Sequence, residues 1–325
     1  MDVFVSWRDI TYESIRSAGE GGIGKVHVAL ATTGPNKGTL FAVKLFNPNS
    51  QEKEEWKQGF MREVHILRDC HHPAIVRVFD EGVLEDGRPF FVMEFLPETL
   101  RNGMDICSLN EIEKVSAIMQ LLSALDYLSR RDPYVVHRDI KPKNIFLKAG
   151  TCVLGDFGLV IQDVASTSLT SAGRTESTIP AMPQMYRTPE LVEYHLTGKT
   201  PPPESDVFQL GLVAAELFTG RNPLRAAGPK KPCQVEPLVN LSGPSGEIIK
   251  ARLEEMIVVK TQDREPARVL LPRWLDLYRS VIRHQGPKLR NPITRLPAVS
   301  PSTVSLLPFL ADPPHSDEFA AGIFD

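Results

Sequence analysis

The chain has 325 residues, of which 42% are hydrophobic and 24% charged, and its formal net charge is −3 at pH 7. This length suits a single globular domain of two lobes. The lack of a basic excess argues against a nucleic-acid partner, and the lack of a long apolar run predicts no membrane segment and a cytoplasmic location. Four scattered cysteines indicate neither a zinc cage nor a disulfide framework.

The first part of the chain is predicted to be mostly strand. Short apolar runs separated by Gly, Asn and Thr predict strands over residues 26–28, 41–46, 75–79 and 89–95. Apolar side chains at helical spacing predict one helix, over residues 51–67.

The second part of the chain has a helical pattern. Apolar spacing predicts helices over residues 115–128, 205–219, 247–259 and 271–282, with a strand and turn over residues 153–157. A strand-rich part followed by a helix-rich part predicts an α+β fold, with an antiparallel sheet plus one helix in the first lobe and mainly helices in the second.

The change of pattern predicts the domain boundaries. We expect an N-terminal lobe of residues 1–96 and a C-terminal lobe of residues 97–285. Residues 222–246, rich in Pro, Gly, Lys and Ser, are predicted to form a loop. Repeated prolines in residues 286–325 predict an extended or disordered tail. The alternative is a docking segment that uses the phenylalanines of this tail as anchors.

Gly19, Gly21 and Gly24 form a G-x-G-x-x-G pattern. Glycines let the backbone approach an anion and point N–H groups at phosphate oxygens. The same pattern occurs in dinucleotide-binding folds, where a helix follows the glycines. Here residues 25–30 are strand-like, which favours a hairpin that covers phosphate groups. An ordinary glycine-rich turn is the remaining alternative.

Lys44 lies inside the apolar strand predicted over residues 41–46. Burying an amine is unfavourable unless its charge is paired, so phosphate oxygens and a carboxylate are the expected partners. Glu63, on the helix that follows, is the candidate carboxylate. The alternative is a lysine at a strand edge whose amine extends into water.

The octet from His137 to Asn144 carries the strongest chemical signal. It brings a carboxylate, a cation and an amide into one loop. Asp139 can accept the proton of an incoming hydroxyl, Lys141 can neutralise charge on a transferred phosphoryl group, and Asn144 can ligate magnesium.

Asp156-Phe157-Gly158 follows twelve residues after Asn144. The aspartate offers a hard oxygen ligand for magnesium, the phenylalanine packs inward, and the glycine permits a turn. Asn144 and Asp156 are therefore the predicted metal ligands.

With these motifs in order, residues 10–282 resemble the eukaryotic-like protein kinases. The resemblance implies a two-lobed protein kinase fold, ATP and Mg²⁺ as cofactors, and protein substrates. It implies that Lys44, held by Glu63, contacts the α and β phosphates, and that Asp139 orients the substrate hydroxyl. The phosphates would be covered by Gly19, Gly21 and Gly24.

The resemblance also implies an adenine pocket around the segment Val-Met-Glu-Phe-Leu. Met93 would be its gatekeeper, and backbone groups of Glu94 and Leu96 would bind adenine. The floor and roof of the pocket would be formed by Phe146, Val26 and Ala42.

Three further segments resemble structural parts of these kinases. Residues 186–190, Tyr-Arg-Thr-Pro-Glu, stand where the family has its Ala-Pro-Glu motif. Asp206 matches a buried aspartate of an apolar helix, and Arg264 matches an arginine that pairs with Glu190.

Lys141, two residues after Asp139, is typical of serine/threonine kinases, whereas tyrosine kinases usually carry Ala-Ala-Arg or Arg-Ala-Ala there. One departure counts against this assignment. Met182-Pro183 replaces the usual Gly-Thr, so a hydroxyl that helps hold Asp139 and Lys141 is missing. In addition, residues 222–246 lie where the family has a helix that docks substrates, and their Pro, Gly and Lys content argues for an altered helix or an inserted loop.

Arg138 precedes Asp139, and in such kinases this arginine often meets a phosphorylated residue. We expect autophosphorylation between Ser166 and Thr178, with self-association for transfer in trans. The alternatives are a pseudokinase that acts as an ATP-binding signalling scaffold and a small-molecule kinase of related fold. Pseudokinases usually lack the lysine or one of the two aspartates, and all three are present here.

Overall fold

The computed structural model describes residues 2–20, 24–47, 53–106, 109–158, 161–162, 185–225 and 231–285. The described residues up to Val281 form one compact unit. No helix in the described part of the chain combines the length and apolar character needed to span a bilayer. The predicted tail, the segment from Ser166 to Thr178, and Gly21 lie outside the described residues.

A six-stranded antiparallel sheet forms the first lobe, as the sequence predicts. Its strand order is β1-β2-β3-β4-β6-β5. The strands are β1 (Val3–Val5), β2 (Thr11–Glu20), β3 (Gly24–Ala31), β4 (Leu40–Phe46), β5 (Val78–Val83) and β6 (Pro89–Glu94). One helix, α1 (Lys53–Arg68), interrupts them between β4 and β5.

The two faces of this sheet carry different residues because side chains alternate along each strand. Val43 lies opposite His27 and Val92 in the neighbouring strands, and Val43 and Val92 belong to a small hydrophobic core on one face. Lys44 lies opposite Val26 and Phe91, on the other face. The alternation therefore separates the candidate site from the small core.

The N-terminal segment joins the two outer strands of the sheet. β1 pairs with β2, and the Trp7 N–H donates to the Glu81 carbonyl in β5 at 3.0 Å. Phe4 is fully buried, and its ring lies 5.3 Å from the rings of both His27 and Phe90. This segment therefore covers the core on the face that Lys44 does not use.

Helices dominate the second lobe. Two of them, α3 (Glu111–Ser129) and α5 (Glu204–Thr219), pack together in the main core. The Asn110 side chain accepts a hydrogen bond from Glu113 N–H, and the Glu113 carboxylate accepts one from Asn110 N–H, which fixes the start of α3. The other helices are α2 (Leu100–Ile106), α4 (Pro189–Thr197), α6 (Gly246–Met256) and α7 (Ala267–Gln285).

Short strands carry the loops between α3 and α4. They are β7 (Val135–Val136), β8 (Ile145–Lys148), β9 (Thr151–Leu154) and β10 (Ile161–Gln162), which pair as β7–β10 and β8–β9. The octet that begins at His137 lies between β7 and β8, and Asp156 follows β9. The octet therefore leads into β8 and Asp156 follows β9, so the pairing of these two strands brings the two predicted motifs together.

One predicted strand is wrong. Residues 75–79 were expected to form a strand, but β5 begins only at Val78. Ile75 N–H donates to His72 O in a turn, and Val76 N–H donates to Leu154 O. Ile75 and Val76 therefore dock on β9, and of this run only Val78 and Phe79 belong to the sheet. In the predicted loop over residues 222–246, the described residues contain no helix before α6, only a bridge between Leu224 and Val235.

Candidate active site

Three charged side chains from distant parts of the chain meet at the face of the sheet that carries Lys44. The Lys44 amine lies 2.7 Å from Glu63 Oε1 on α1 and 2.9 Å from Asp156 Oδ1. Burial by itself would lower the pKa of Lys44, but the two carboxylates outweigh it and raise this pKa. The amine is therefore held in its charged form.

Asp156 is ionised and partly open to solvent. Lys44 lowers its pKa to about 2, and 48% of its side chain is exposed. Its backbone adopts φ +57°, a left-handed conformation that aspartate tolerates better than most residues. A β-carbon on Gly158 would lie 3.4 Å from Asp156 Oδ1 and 3.6 Å from Lys44 Nζ, so this glycine lets the turn pass close to the charges.

Asp139 forms the second cluster. Its Oδ2 accepts bonds from Lys141 Nζ at 2.8 Å and from Asn144 Nδ2 at 2.9 Å. Its Oδ1 is buried and has no hydrogen-bond partner among the described residues. Burial raises the pKa of Asp139, and Lys141 opposes this rise. Asp139 Oδ1 can therefore accept a hydrogen bond from a further donor.

The chemistry of Asn144 and Asp156 fits a hard divalent cation. The Asn144 amide nitrogen donates to Asp139, which leaves the Asn144 amide oxygen for a metal. Gly155 N–H donates to Asn144 O at 2.9 Å and ties the two segments together. Mg²⁺ is typically held by one or two such oxygens together with phosphates and water. Among the described residues, no group of three or more His, Cys, Asp or Glu side chains forms a metal site by itself.

Two buried polar side chains on α5 hold the loop that carries Asp139. Asp206 accepts the N–H groups of His137 and Arg138 at 2.7 and 2.9 Å. Gln209 accepts from Ile140 N–H at 3.0 Å and donates to Arg138 O at 2.9 Å. Burial raises the pKa of Asp206 to about 7. The sequence predicted Asp206 but not Gln209, whose only signal is a polar residue in an apolar helix.

His137 connects the two clusters in its neutral form. Burial lowers its pKa to about 4. Its Nδ1 accepts from Asp139 N–H at 3.2 Å, so its Nε2 carries the proton and donates to Gly155 O at 3.1 Å. Its ring also makes an edge contact with Phe157 at 4.5 Å between centroids. This residue fixes the backbone of both motifs, a role that the sequence did not suggest.

Two glycines of the pattern, Gly19 and Gly24, lie in the paired strands β2 and β3. Gly19 pairs with Val26, and a β-carbon on Gly19 would meet open space. At Gly24 a β-carbon would lie 2.9 Å from the Leu45 carbonyl oxygen, so the close approach of β3 and β4 requires glycine. A strand follows the glycines, as predicted, which excludes the dinucleotide-binding arrangement of a helix.

The residues predicted to line the adenine pocket lie on the sheet or just after its strands. Ala42 lies opposite Met93 and also opposite Val28, which the sequence analysis missed although it is two residues from Val26. Glu94 N–H donates to Arg77 O at 3.0 Å, and Leu96 packs against the main core.

Phe146 enters this region from β8. It bridges to Thr99 just beyond Leu96, and a β-carbon on Gly155 would lie 2.7 Å from its ring. Gly155 therefore makes room for the Phe146 ring.

The predicted pair between Glu190 and Arg264 is confirmed. Arg264 Nη1 lies 2.9 Å from Glu190 Oε1, and the two side chains are 0% and 4% exposed. The same guanidinium donates to the Val258 and Glu204 carbonyls. This buried network anchors α4 to the segment before α7.

Comparisons with known proteins agree with this geometry. The protein kinase domain family matches residues 12–265. The chain is similar to a probable serine/threonine-protein kinase PknB of Bifidobacterium longum, with 31% identity over 225 residues that cover 65% of this chain and 30% of that protein. It is also similar to the serine/threonine-protein kinase PknJ of Mycobacterium tuberculosis, with 28% identity over 221 residues, 66% of this chain and 35% of that protein.

A plant relative shows the breadth of the similarity. The calmodulin-binding receptor-like cytoplasmic kinase 1 of Arabidopsis thaliana is 29% identical over 235 residues, 68% of this chain and 45% of that protein. The match spans about a third of the length of the first curated relatives.

Proposed function

The chain belongs to the protein kinase family, and we propose that it transfers the γ-phosphoryl group of ATP to serine or threonine hydroxyls of proteins. The observation that carries this proposal is the assembly of two charge clusters from four separate segments. Lys44, Glu63 and Asp156 form one cluster, and Asp139 with Lys141 forms the other. Positioning and charge stabilisation are the main contributions that a protein makes to phosphoryl transfer.

Each cluster has a distinct part in the proposed reaction. Lys44, oriented by Glu63, holds the α and β phosphates of ATP under the hairpin that carries Gly19 and Gly24. Asn144 and Asp156 would hold Mg²⁺, which would supply neutralisation of phosphate charge.

The second cluster handles the acceptor. The unpaired Oδ1 of Asp139 accepts a hydrogen bond from the substrate hydroxyl and aligns its oxygen with the phosphorus atom. Lys141 stands 2.8 Å from the other carboxylate oxygen and offsets the charge that moves with the phosphoryl group.

The experiment compares wild type with Asp139→Ala in a radiolabel transfer assay from ATP to a generic basic protein. Transfer should fall about 100- to 10,000-fold, because the hydroxyl loses its acceptor. ATP affinity should change by less than about threefold, because Lys44 and Asp156 remain. Asp86→Ala, on the exposed turn between β5 and β6, is the matched control. Near-normal turnover of Asp139→Ala would show that the assignment is wrong.

The serine/threonine preference is the finer part of the proposal. Lys141 supports it, while Met182 and Pro183, which lie outside the described residues, count against it. Phosphoamino-acid analysis of the labelled product separates the outcomes. Phosphotyrosine as the main product would contradict the proposal.

Autophosphorylation between Ser166 and Thr178, in trans between associated copies, remains part of the proposal. Mass spectrometry of purified protein incubated with Mg²⁺ and ATP tests it, and an unmodified segment in an active preparation would exclude it. The second candidate is a pseudokinase scaffold. ATP binding without transfer, by wild type, would favour that candidate.

A further inference from the structure

An aromatic ring on α4 lies against the arginine that precedes Asp139. The guanidinium carbon of Arg138 is 4.3 Å from the ring centroid of Tyr194. Arg138 is only 8% exposed. Burying a cation is unfavourable unless its surroundings compensate the charge, and the face of an aromatic ring does so in part. Tyr194 therefore stabilises a buried cation next to the candidate catalytic carboxylate.

The backbone at Arg138 is strained, so what holds this residue matters for its neighbour. Its φ is +70°, a left-handed conformation that a long side chain rarely adopts. Such conformations persist only where several contacts enforce them. Asp206 and Gln209 fix the peptide groups on either side of Arg138. The Tyr194 ring adds a contact to the side chain itself.

The ring belongs to a short helix that is capped at both ends and joined to α5 at its start. At its start, Thr188 Oγ1 accepts a bond from Leu191 N–H at 3.1 Å and pairs with Ser205 Oγ on α5 at 2.7 Å. At its end, Gly198 N–H donates to Tyr194 O at 2.8 Å. Helix α4 is therefore fixed relative to α5, and α5 also holds the loop that carries Asp139.

We propose that Tyr194 is a positioning residue for phosphoryl transfer: its ring holds the Arg138 guanidinium, which keeps the strained backbone and the Asp139 carboxylate in place. The inference rests on the proposed function. Tyr194 lies outside every motif that the sequence analysis used. If its ring releases Arg138, the backbone can relax towards negative φ, which rotates the next peptide and displaces Asp139.

The experiment varies the ring electrons without changing the ring shape. Position 194 is replaced by phenylalanine and then by mono-, di- and trifluorophenylalanine, because each fluorine withdraws charge from the ring face. Tyr194→Phe should keep kcat within about twofold, since the ring face remains. Along the fluorinated series kcat should fall in order, by about 2- to 30-fold in total. The KM for ATP should stay constant because Lys44 is untouched.

Leu196→Ala is the matched control, since this side chain lies on the same helix and is 58% exposed. Its kcat should equal that of wild type. A fluorinated series with constant kcat would overturn the inference, and so would a parallel loss in the control.

A second measurement does not depend on activity. In a double-mutant cycle of Tyr194→Leu and Arg138→Met, the equilibrium constants for unfolding should deviate from additivity by about 2- to 30-fold. Additive effects would show that the side chains of Arg138 and Tyr194 do not interact, which would overturn the inference. A wild-type protein that transfers no phosphate would refute the proposed function, whereas the cycle would still report on the Arg138–Tyr194 contact.

Discussion

Replacing Arg264 by methionine should strongly destabilise the protein. Arg264 makes a buried ion pair with Glu190, and its guanidinium also stacks at 4.7 Å from the Phe208 ring centroid. Methionine keeps much of the volume of the side chain but none of its hydrogen-bond donors. The substitution therefore removes the charge and leaves the packing largely intact.

The expected decrease in the free energy of unfolding follows from the buried groups that would lose Arg264 as their hydrogen-bond donor. Glu190 would stay buried as a carboxylate that still accepts a hydrogen bond from the Thr261 hydroxyl at 2.5 Å. The carbonyls of Val258 and Glu204 would lose donors that now lie at 2.8 and 2.6 Å. Breaking a buried ion pair on one side costs about 3–5 kcal/mol. Each of the two orphaned carbonyls costs about 1–3 kcal/mol more, so the free energy of unfolding should fall by at least about 5 kcal/mol.

Urea denaturation, followed by circular dichroism, measures this loss. With a slope of about 3 kcal/mol per molar or slightly more, the midpoint should fall by about 1 M or more. Arg279→Met is the matched control, because Arg279 pairs with Asp276 at 3.1 Å while the two side chains are 58% and 74% exposed. That variant should lose about 0–1 kcal/mol. Equal midpoints for the two variants would refute the reasoning.

Three further predictions follow from the site. Lys44→Met should lower kcat/KM about 100-fold or more, because the phosphates lose a fixed charge; a loss below about tenfold in steady-state assays would contradict this role. Burial raises the pKa of Asp139 and Lys141 opposes that rise, so activity should fall as pH drops through this pKa. Lys141→Ala should shift the acid limb of the kcat profile to higher pH, and an unmoved limb would contradict the pairing. Gly155→Ala should lower the free energy of unfolding, measured by thermal denaturation, by about 1–3 kcal/mol, because the added β-carbon would lie 2.7 Å from the Phe146 ring. Gly59→Ala, with open space around it, should be neutral or stabilising.

The motifs in the sequence were sufficient to predict that Lys44 meets Glu63, although 19 residues separate them. The contact of Lys44 with Asp156, 112 residues away, was not predicted, because each of these residues was assigned to the nucleotide or its metal ion. A lysine in an apolar strand needs a partner, and a carboxylate on the next helix offers one. Long helices were also predictable, because α3 and α5 each repeat the apolar period over several turns.

Features without a repeating pattern were not predictable. β1 is three residues long and α4 nine, too short for periodicity to separate a strand or helix from a loop. Ile75 and Val76 are apolar and dock on β9, and apolarity alone does not distinguish docking from strand pairing. Gln209 and Tyr194 act through tertiary contacts that only the folded chain brings together.

The first residues of the chain have a consequence for how it is produced and handled. The family match begins at residue 12, after β1 and after the bond from Trp7 to Glu81 that joins the outer strands. A chain cut at residue 12 would leave β2 and β5 with unpaired backbone groups and remove Phe4 from its core. Open strand edges beside exposed apolar surface pair readily with other chains. We therefore expect a chain that begins at residue 12 to aggregate more readily than one that keeps this segment.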